Sequence, residues 1–215
     1  MKFILVSAVF LTCNLYFSQS TVLHNLHHST LTSNALNKIG VTDLDNNDYE
    51  GSPFLEKNFL PSKIQGEEGV HLLRYNIYND EIILKRDDDY FKIPKTNLEY
   101  FHINDKHVVR LVNGTYYIQT SNVKNNFVIL KKENIKFTQG KISENGYSQS
   151  TSSKFSHLKT DYFLYNIEDK NLIPAKKEDL LKVFPNKMPE INQIFKKNKF
   201  KNEKDYNDLL IIITN

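Results

Sequence analysis

The chain has 215 residues, 28 Lys+Arg against 25 Asp+Glu for a formal net charge of +3, and a composition that is 40% apolar, 25% charged and 12% aromatic. That is enough apolar material for one sizeable core, and it excludes a disordered chain, a collagen-like chain and a disulfide-stapled miniprotein. Only one apolar run sits where a membrane signal belongs, so a multi-span membrane protein is excluded as well.

That run opens the chain. Met1-Lys2 is a short positive start, residues 3–17 read FILVSAVFLTCNLYF, and Ser18 and Ser20 place small residues at the −3 and −1 positions of a cleavage site. The pattern predicts a secretory signal over residues 1–20, and so export to the periplasm or cell surface. An uncleaved anchor fits less well, because the run is short of the roughly 20 residues a spanning helix needs and Asn14 interrupts it. A lipoprotein attached through Cys13 also fits less well, since apolar Leu15-Tyr16-Phe17 would follow the lipid. Cys13 is the only cysteine, so cleavage near Ser20 leaves no thiol for catalysis or zinc.

Residues 21–69 read as an irregular lead-in. His24, His27 and His28 form HxxHH, the one constellation here that offers two imidazoles to a transition metal; a frayed, solvated terminus is the plainer reading. Asp43, Asp45 and Asn47 open like a calcium loop, but Asp48 stands where Gly belongs and Phe54 where the closing Glu belongs. GSPF (51–54) and LPSK (60–63) look like turns.

Residues 70–175 read as an antiparallel β domain. VHLLRYNIY (70–78), EIILKR (81–86), DYFKIP (89–94), LEYFHI (98–103), KHVVRLV (106–112), TYYIQT (115–120) and NNFVILKKENIKF (125–137) are rich in strand-forming residues. Asn79-Asp80, Asn104-Asp105 and Asn113-Gly114 separate several of them, and Asn-Gly is the strongest short hairpin signal. Leu73, Tyr75 and Ile77 share one face of the first strand. The expected class is α+β: an antiparallel meander, as a curved sheet, sandwich or partial barrel, with a C-terminal cluster of short helices. Residues 138–159, with their many serines, predict a mobile loop. DYFLYNIE (161–168) and NLIPA (171–175) add a hairpin.

Residues 176–215 predict a helical cap. Leu180, Leu181 and Phe184 share a side before Pro185 stops the helix. Ile191, Ile194 and Phe195 mark a second helix behind Pro189. Asn202 caps a third, with Tyr206, Leu209, Leu210 and Ile213 on one face, although LLIII (209–213) also suits a strand.

GSPFLEKNFLPSKI (51–64), LLRYNIYNDEIILK (72–85) and the Lys-rich end of 176–210 together resemble a group of uncharacterised secreted proteins of Bacteroidota. The resemblance spans roughly residues 51 to 215. It implies export and a place in the cell envelope, and it carries no known chemistry or catalytic residues.

Among side chains with possible chemistry, His71, His102 and His107 fall on expected strands, and Asp87, Asp88 and Asp89 form a carboxylate run at a turn. No G-x-S-x-G, H-E-x-x-H, P-loop or dinucleotide fingerprint is present, and no cofactor is expected. The tyrosines, notably Tyr75, Tyr78, Tyr116 and Tyr117, suit a glycan- or protein-binding face as well as ordinary packing. Lys196, Lys197 and Lys199 concentrate positive charge in the tail, where anionic lipid or an acidic protein patch would meet it. Nucleic acid is not expected outside the cytoplasm, and Lys lacks the planar fork of Arg. The expectation is therefore a non-enzymatic envelope module that binds or scaffolds another envelope protein, glycan or lipid. The alternatives are a small periplasmic hydrolase, if His71, His102, His107, Asp87 and Asp89 converge, and a metal-binding envelope protein using HxxHH.

Overall fold

The structure, a computed structural model, describes residues 49–87, 89–95, 99–141 and 150–215. The expected signal segment, HxxHH and the calcium-loop-like opening at 43–48 lie outside these residues. Among the described residues thirteen strands form two sheets: ten in the order β13-β12-β9-β8-β7-β6-β2-β3-β4-β5, where β4 is Glu81–Arg86 and β5 is Asp89–Lys92, and three in the order β1-β11-β10. Every pairing in the large sheet is antiparallel, as the hairpin-rich sequence predicts.

One face of this sheet rolls around its own side chains. Leu73, Tyr75 and Ile77 from β3 (His71–Asn76) and the turn after it are buried with Phe101 of β6 (Tyr100–Ile103), Val109 of β7 (His107–Val112) and Ile118 of β8 (Thr115–Gln119). Tyr75 and Tyr116 lie four strands apart in the sheet order, about 19 Å if the sheet were flat, yet their ring centroids are 5.8 Å apart. The sheet is therefore a partial barrel, with β13 and β5 left as its edges. Its turns differ in length. Asn113-Gly114 is a two-residue turn with φ of 50° and 76°, the left-handed pair that a type I′ hairpin requires. After Asn76 the connection runs four residues, 77–80, before Glu81 resumes pairing, so Asn79-Asp80 closes a looser hairpin than its composition suggests.

The lead-in is not irregular throughout. β2 (Leu60–Ile64) sits between β3 and β6 in the middle of the sheet. Pro61 is tolerated there because the two ladders are staggered. β2 pairs with β3 over Leu60–Ser62 and with β6 over Ser62–Ile64, so Pro61, which cannot donate, has a partner on one side alone. Upstream, Phe54 bridges Asn76 while Leu60 pairs with Leu73: six residues of one strand face three of the other. The resulting bulge lays Phe54 and Phe59 over Arg74, whose guanidinium lies 3.7 and 4.3 Å from the two ring centroids. This covers the outer face of β3 and explains why Arg74 and Asn76 are buried opposite the core.

NNFVILKKENIKF is two strands, β9 (Phe127–Lys132) and β10 (Ile135–Thr138), and the chain changes sheet between them. The expected mobile loop contains β11 (Ser153–His157), which pairs with β10 and, in parallel, with β1 (Tyr49–Glu50). Three aromatics, Tyr49, Phe137 and Phe155, hold this small sheet together. Gly51 is required beside it: φ is +79°, and a Cβ would collide with the Phe155 carbonyl oxygen.

Among the described residues three α-helices pack against the large sheet's last strands: α1 (Lys177–Val183), α2 (Met188–Lys197) and α3 (Glu203–Thr214). Leu180, Ile191, Ile194, Leu209, Leu210 and Ile213 pack on Ile129, Leu164 and Ile173 of the β9, β12 (Asp161–Asn166) and β13 (Asn171–Pro174) strands. The Asn202 side chain accepts from the Asp205 amide at 3.1 Å, capping α3, so the LLIII run is helical. Among the described residues no helix is long and apolar enough to cross a membrane.

Candidate functional site

The rolled sheet does not close by backbone pairing, and a cluster of charges occupies the opening. β8 and β9 pair at Ile118–Lys131 and Gln119–Leu130, and no further towards the β7–β8 turn. The next rung on that side belongs to Tyr116, and β9 has turned away to reach the small sheet. Asp80, on the β3–β4 turn, takes its place. Both carboxylate oxygens accept from the Tyr116 amide at 3.3 Å. The Lys132 ammonium donates to the Tyr116 carbonyl at 3.0 Å and to Asp80. Tyr75 donates its hydroxyl to Asp80 at 2.9 Å, and Lys95 donates to Asp80 and, at 2.9 Å, to the Gly114 carbonyl. Side chains thus satisfy backbone groups that a closed ladder would have paired.

Burial alone would raise the Asp80 carboxyl; hydrogen bonds from Lys132 and Lys95 more than reverse this, and its pKa lies below the ordinary value. Burial also pushes Lys132 down, against the support of Asp80. The Tyr75 hydroxyl is pushed up by burial first and by the Asp80 charge second, and Tyr116 is raised by burial. At neutral pH Asp80 is a carboxylate and both phenols are protonated, Tyr75 donating to Asp80.

Next to this opening lies a groove of about 500 Å³ around the β7–β8 turn, lined among others by Lys95, Glu99, Arg110, Gly114, Tyr165 and Lys170. Arg110 is half-buried. Its Nε donates to Gln119 Oε1 at 2.7 Å, Gln119 in turn donates to the Ser121 carbonyl at 2.6 Å, and the guanidinium lies 5.3 Å from the Tyr100 ring centroid. Lys170 pairs with Glu99 at 3.1 Å on the rim. Arg110 makes no ion pair with any described residue.

The residues singled out from the sequence fall elsewhere, or inside. Tyr75 and Tyr116 are not surface binding residues: they are 2% and 0% exposed, at the heart of the rolled face. Tyr78 is exposed and meets Phe155 edge-on at 5.4 Å. Tyr117 is half-buried against Phe163 at 5.3 Å on the outer face. Lys196, Lys197 and Lys199 are exposed around the end of α2, where cations complement the helix dipole. The three histidines keep separate company: His107 meets Glu56 at 3.2 Å, His102 rests edge-on against Tyr100 at 5.4 Å, and the His71 Nε2 atom is buried without a partner. Asp87 and Asp89 are exposed at the β4–β5 turn. Among the described residues no three His, Asp or Glu side chains gather as a metal site would. His24, His27 and His28 lie outside the described residues.

The sequence reading missed Asp80, Lys95, Lys132 and Arg110. Asp80 read as a turn residue. One signal was available: Lys131-Lys132 in a single strand puts cations on both faces, and a part-buried cation needs a carboxylate, which Glu133 and Glu203 supply to Lys131 and Asp80 to Lys132.

Comparison with protein-family models, with curated proteins and with solved structures returns no match.

Proposed function

We propose that the chain is an exported, non-enzymatic binding module of the cell envelope, acting through the groove beside the β7–β8 turn. The observation that carries this reading is the division of labour between neighbouring charges. Asp80, Lys95 and Lys132 serve the sheet itself, whereas the half-buried Arg110 in the adjoining groove has its orientation fixed and no ion-pair partner among the described residues, Glu99 acting on it only from a distance. A fixed, concave, polar lining of about 500 Å³ suits binding of a small ligand or of one residue of a larger one. The basic start, apolar run and small-residue exit of residues 1–20 support export.

Fractionation of cells expressing the untagged protein, followed by intact mass spectrometry of the purified envelope form, tests the reading. The expected mass is that of a chain beginning near Thr21, with a bound component that leaves on denaturation. Recovery from the cytosol with Met1 still attached would overturn it.

A further inference from the structure

We propose that this groove is a binding site for an oxyanion, a carboxylate or a phosphate carried on a small ligand, with Arg110 as its anchor. The inference rests on the binding-module reading and names the ligand chemistry that reading leaves open.

A guanidinium offers five N–H donors, and only Nε of Arg110 has a hydrogen-bonded partner among the described residues. That partner, Gln119, is neutral. Half-burying a cation without an ion-pair partner costs free energy, and burial weighs on the Arg110 guanidinium more than Tyr165, Tyr100 and the distant Glu99 charge support it; Arg110 lies on the outer face, away from the sheet opening that Lys132 bridges. The Nε bond, the hold of Gln119 on Ser121 and the Tyr100 ring leave the two terminal nitrogens as a fixed fork, the geometry that takes a carboxylate or phosphate through two parallel bonds. Because the fork is held before any ligand arrives, little side-chain freedom remains to be lost on binding.

The surroundings favour an anion too. Lys95 and Lys170 line the same groove, and Glu99, the one carboxylate lining it, is engaged by Lys170. The groove is small enough to hold a group of one or two sugar rings' size and too concave for a flat membrane surface.

NMR titration of the uniformly ¹⁵N-labelled mature protein tests this, following the Arg110 Nε–H and Gly114 amide signals. Sodium galacturonate and glycerol 3-phosphate are the anionic probes; galactose and glycerol are their neutral counterparts. The expected result is saturable movement of both signals with at least one anion, none with its neutral counterpart, and weakening as salt rises. Which anion acts tells a carboxylate source from a phosphate source. R110Q should lower the affinity about tenfold or more, while its unfolding midpoint stays level or rises, because an uncompensated cation has been removed. K170Q, on the rim, should weaken binding by a smaller factor and serves as the second variant. No saturable movement with either anion, or equal movement in R110Q, overturns the proposal, as does a collapse of the R110Q fold. If the anions fail but the envelope form still carries a bound component, the groove assignment falls alone; if the protein is cytosolic yet binds an anion through Arg110, the envelope reading falls alone.

Discussion

Lys132 and Arg110 occupy neighbouring regions of one rolled sheet and are treated in opposite ways. Lys132 is inserted where β8 and β9 part. It reaches the Tyr116 carbonyl, Asp80 and the Tyr75 hydroxyl, and so ties together the polar groups gathered at the opening. Arg110 is locked by a neutral amide and a ring and faces solvent with its remaining donors. The difference separates charge that completes a fold from charge that the fold leaves without an ion-pair partner, which we propose serves a ligand. Removing the first kind exposes unsatisfied groups; on the proposal above, removing the second should leave the fold intact and weaken binding.

The most severe way to break the contrast is Asp80→Ala. It strands two ammonium groups and takes the acceptor from the Tyr116 amide and the Tyr75 hydroxyl. We expect a loss of about 3 kcal/mol in urea unfolding, the scale of breaking a buried ion pair by one partner. K132M should cost less, about 2 kcal/mol, because Asp80 keeps Lys95 and Tyr75. The double variant D80A/K132M should cost clearly less than the sum of the two, since each single change leaves the other's charge uncompensated. Additive losses would mean that the two side chains do not act as a pair.

Acid and alkali sharpen the same point. The Asp80 pKa is depressed in the folded state, so its contribution is present above the unfolded carboxylate value of about 3.9 and is lost as pH falls through the folded value. The Tyr75 pKa is raised, so its contribution is complete below the unfolded phenol value of about 10 and is lost as pH rises beyond it. Lys132, held down by burial, opposes this loss, adding stability with rising pH just below its ordinary value. Urea midpoints measured from pH 3 to pH 11 should therefore fall at both ends. D80N should flatten the acid limb. Y75F should cost about 1 kcal/mol at neutral pH and flatten part of the alkaline limb, the remainder belonging to other raised phenols such as Tyr116 and Tyr165.

Much of the scaffold was legible because its signals are local. Alternation put Leu73, Tyr75 and Ile77 on one face, Asn113-Gly114 is the two-residue turn its residues require, and Pro185 ends α1 one residue after Phe184. β2 was hidden by Pro61, which reads as a turn until the staggered ladders around Ser62 are known. β11 was hidden by a Ser-rich composition in which Phe155 alone is buried. The site was least legible of all. Asp80 and Lys132 are 52 residues apart, and they meet because the sheet curls, a property of summed twist and bulges that no short window records. The tyrosines illustrate the limit: Tyr75 and Tyr117 look alike in sequence, yet one is sealed in the core and the other lies on the outer face.

The finest test lies within that tyrosine pair in the core. Tyr75 and Tyr116 pack edge-to-face, both are buried, and both carry hydroxyls raised by that burial. Their hydroxyls differ: Tyr75 donates to Asp80 and accepts from Lys132, whereas the Tyr116 oxygen is buried without a partner. Deleting an unsatisfied buried hydroxyl removes a desolvated group that returns nothing, and the ring keeps its packing. Y116F should therefore be neutral or stabilising by up to about 1 kcal/mol, where Y75F costs about that much. The same measurement on the two variants, at one pH and in one denaturant, separates the Tyr75 hydroxyl's bonds to Asp80 and Lys132 from the burial the two rings share. A Y116F loss as large as that of Y75F would mean that what matters at this opening is phenol packing rather than the carboxylate at its centre.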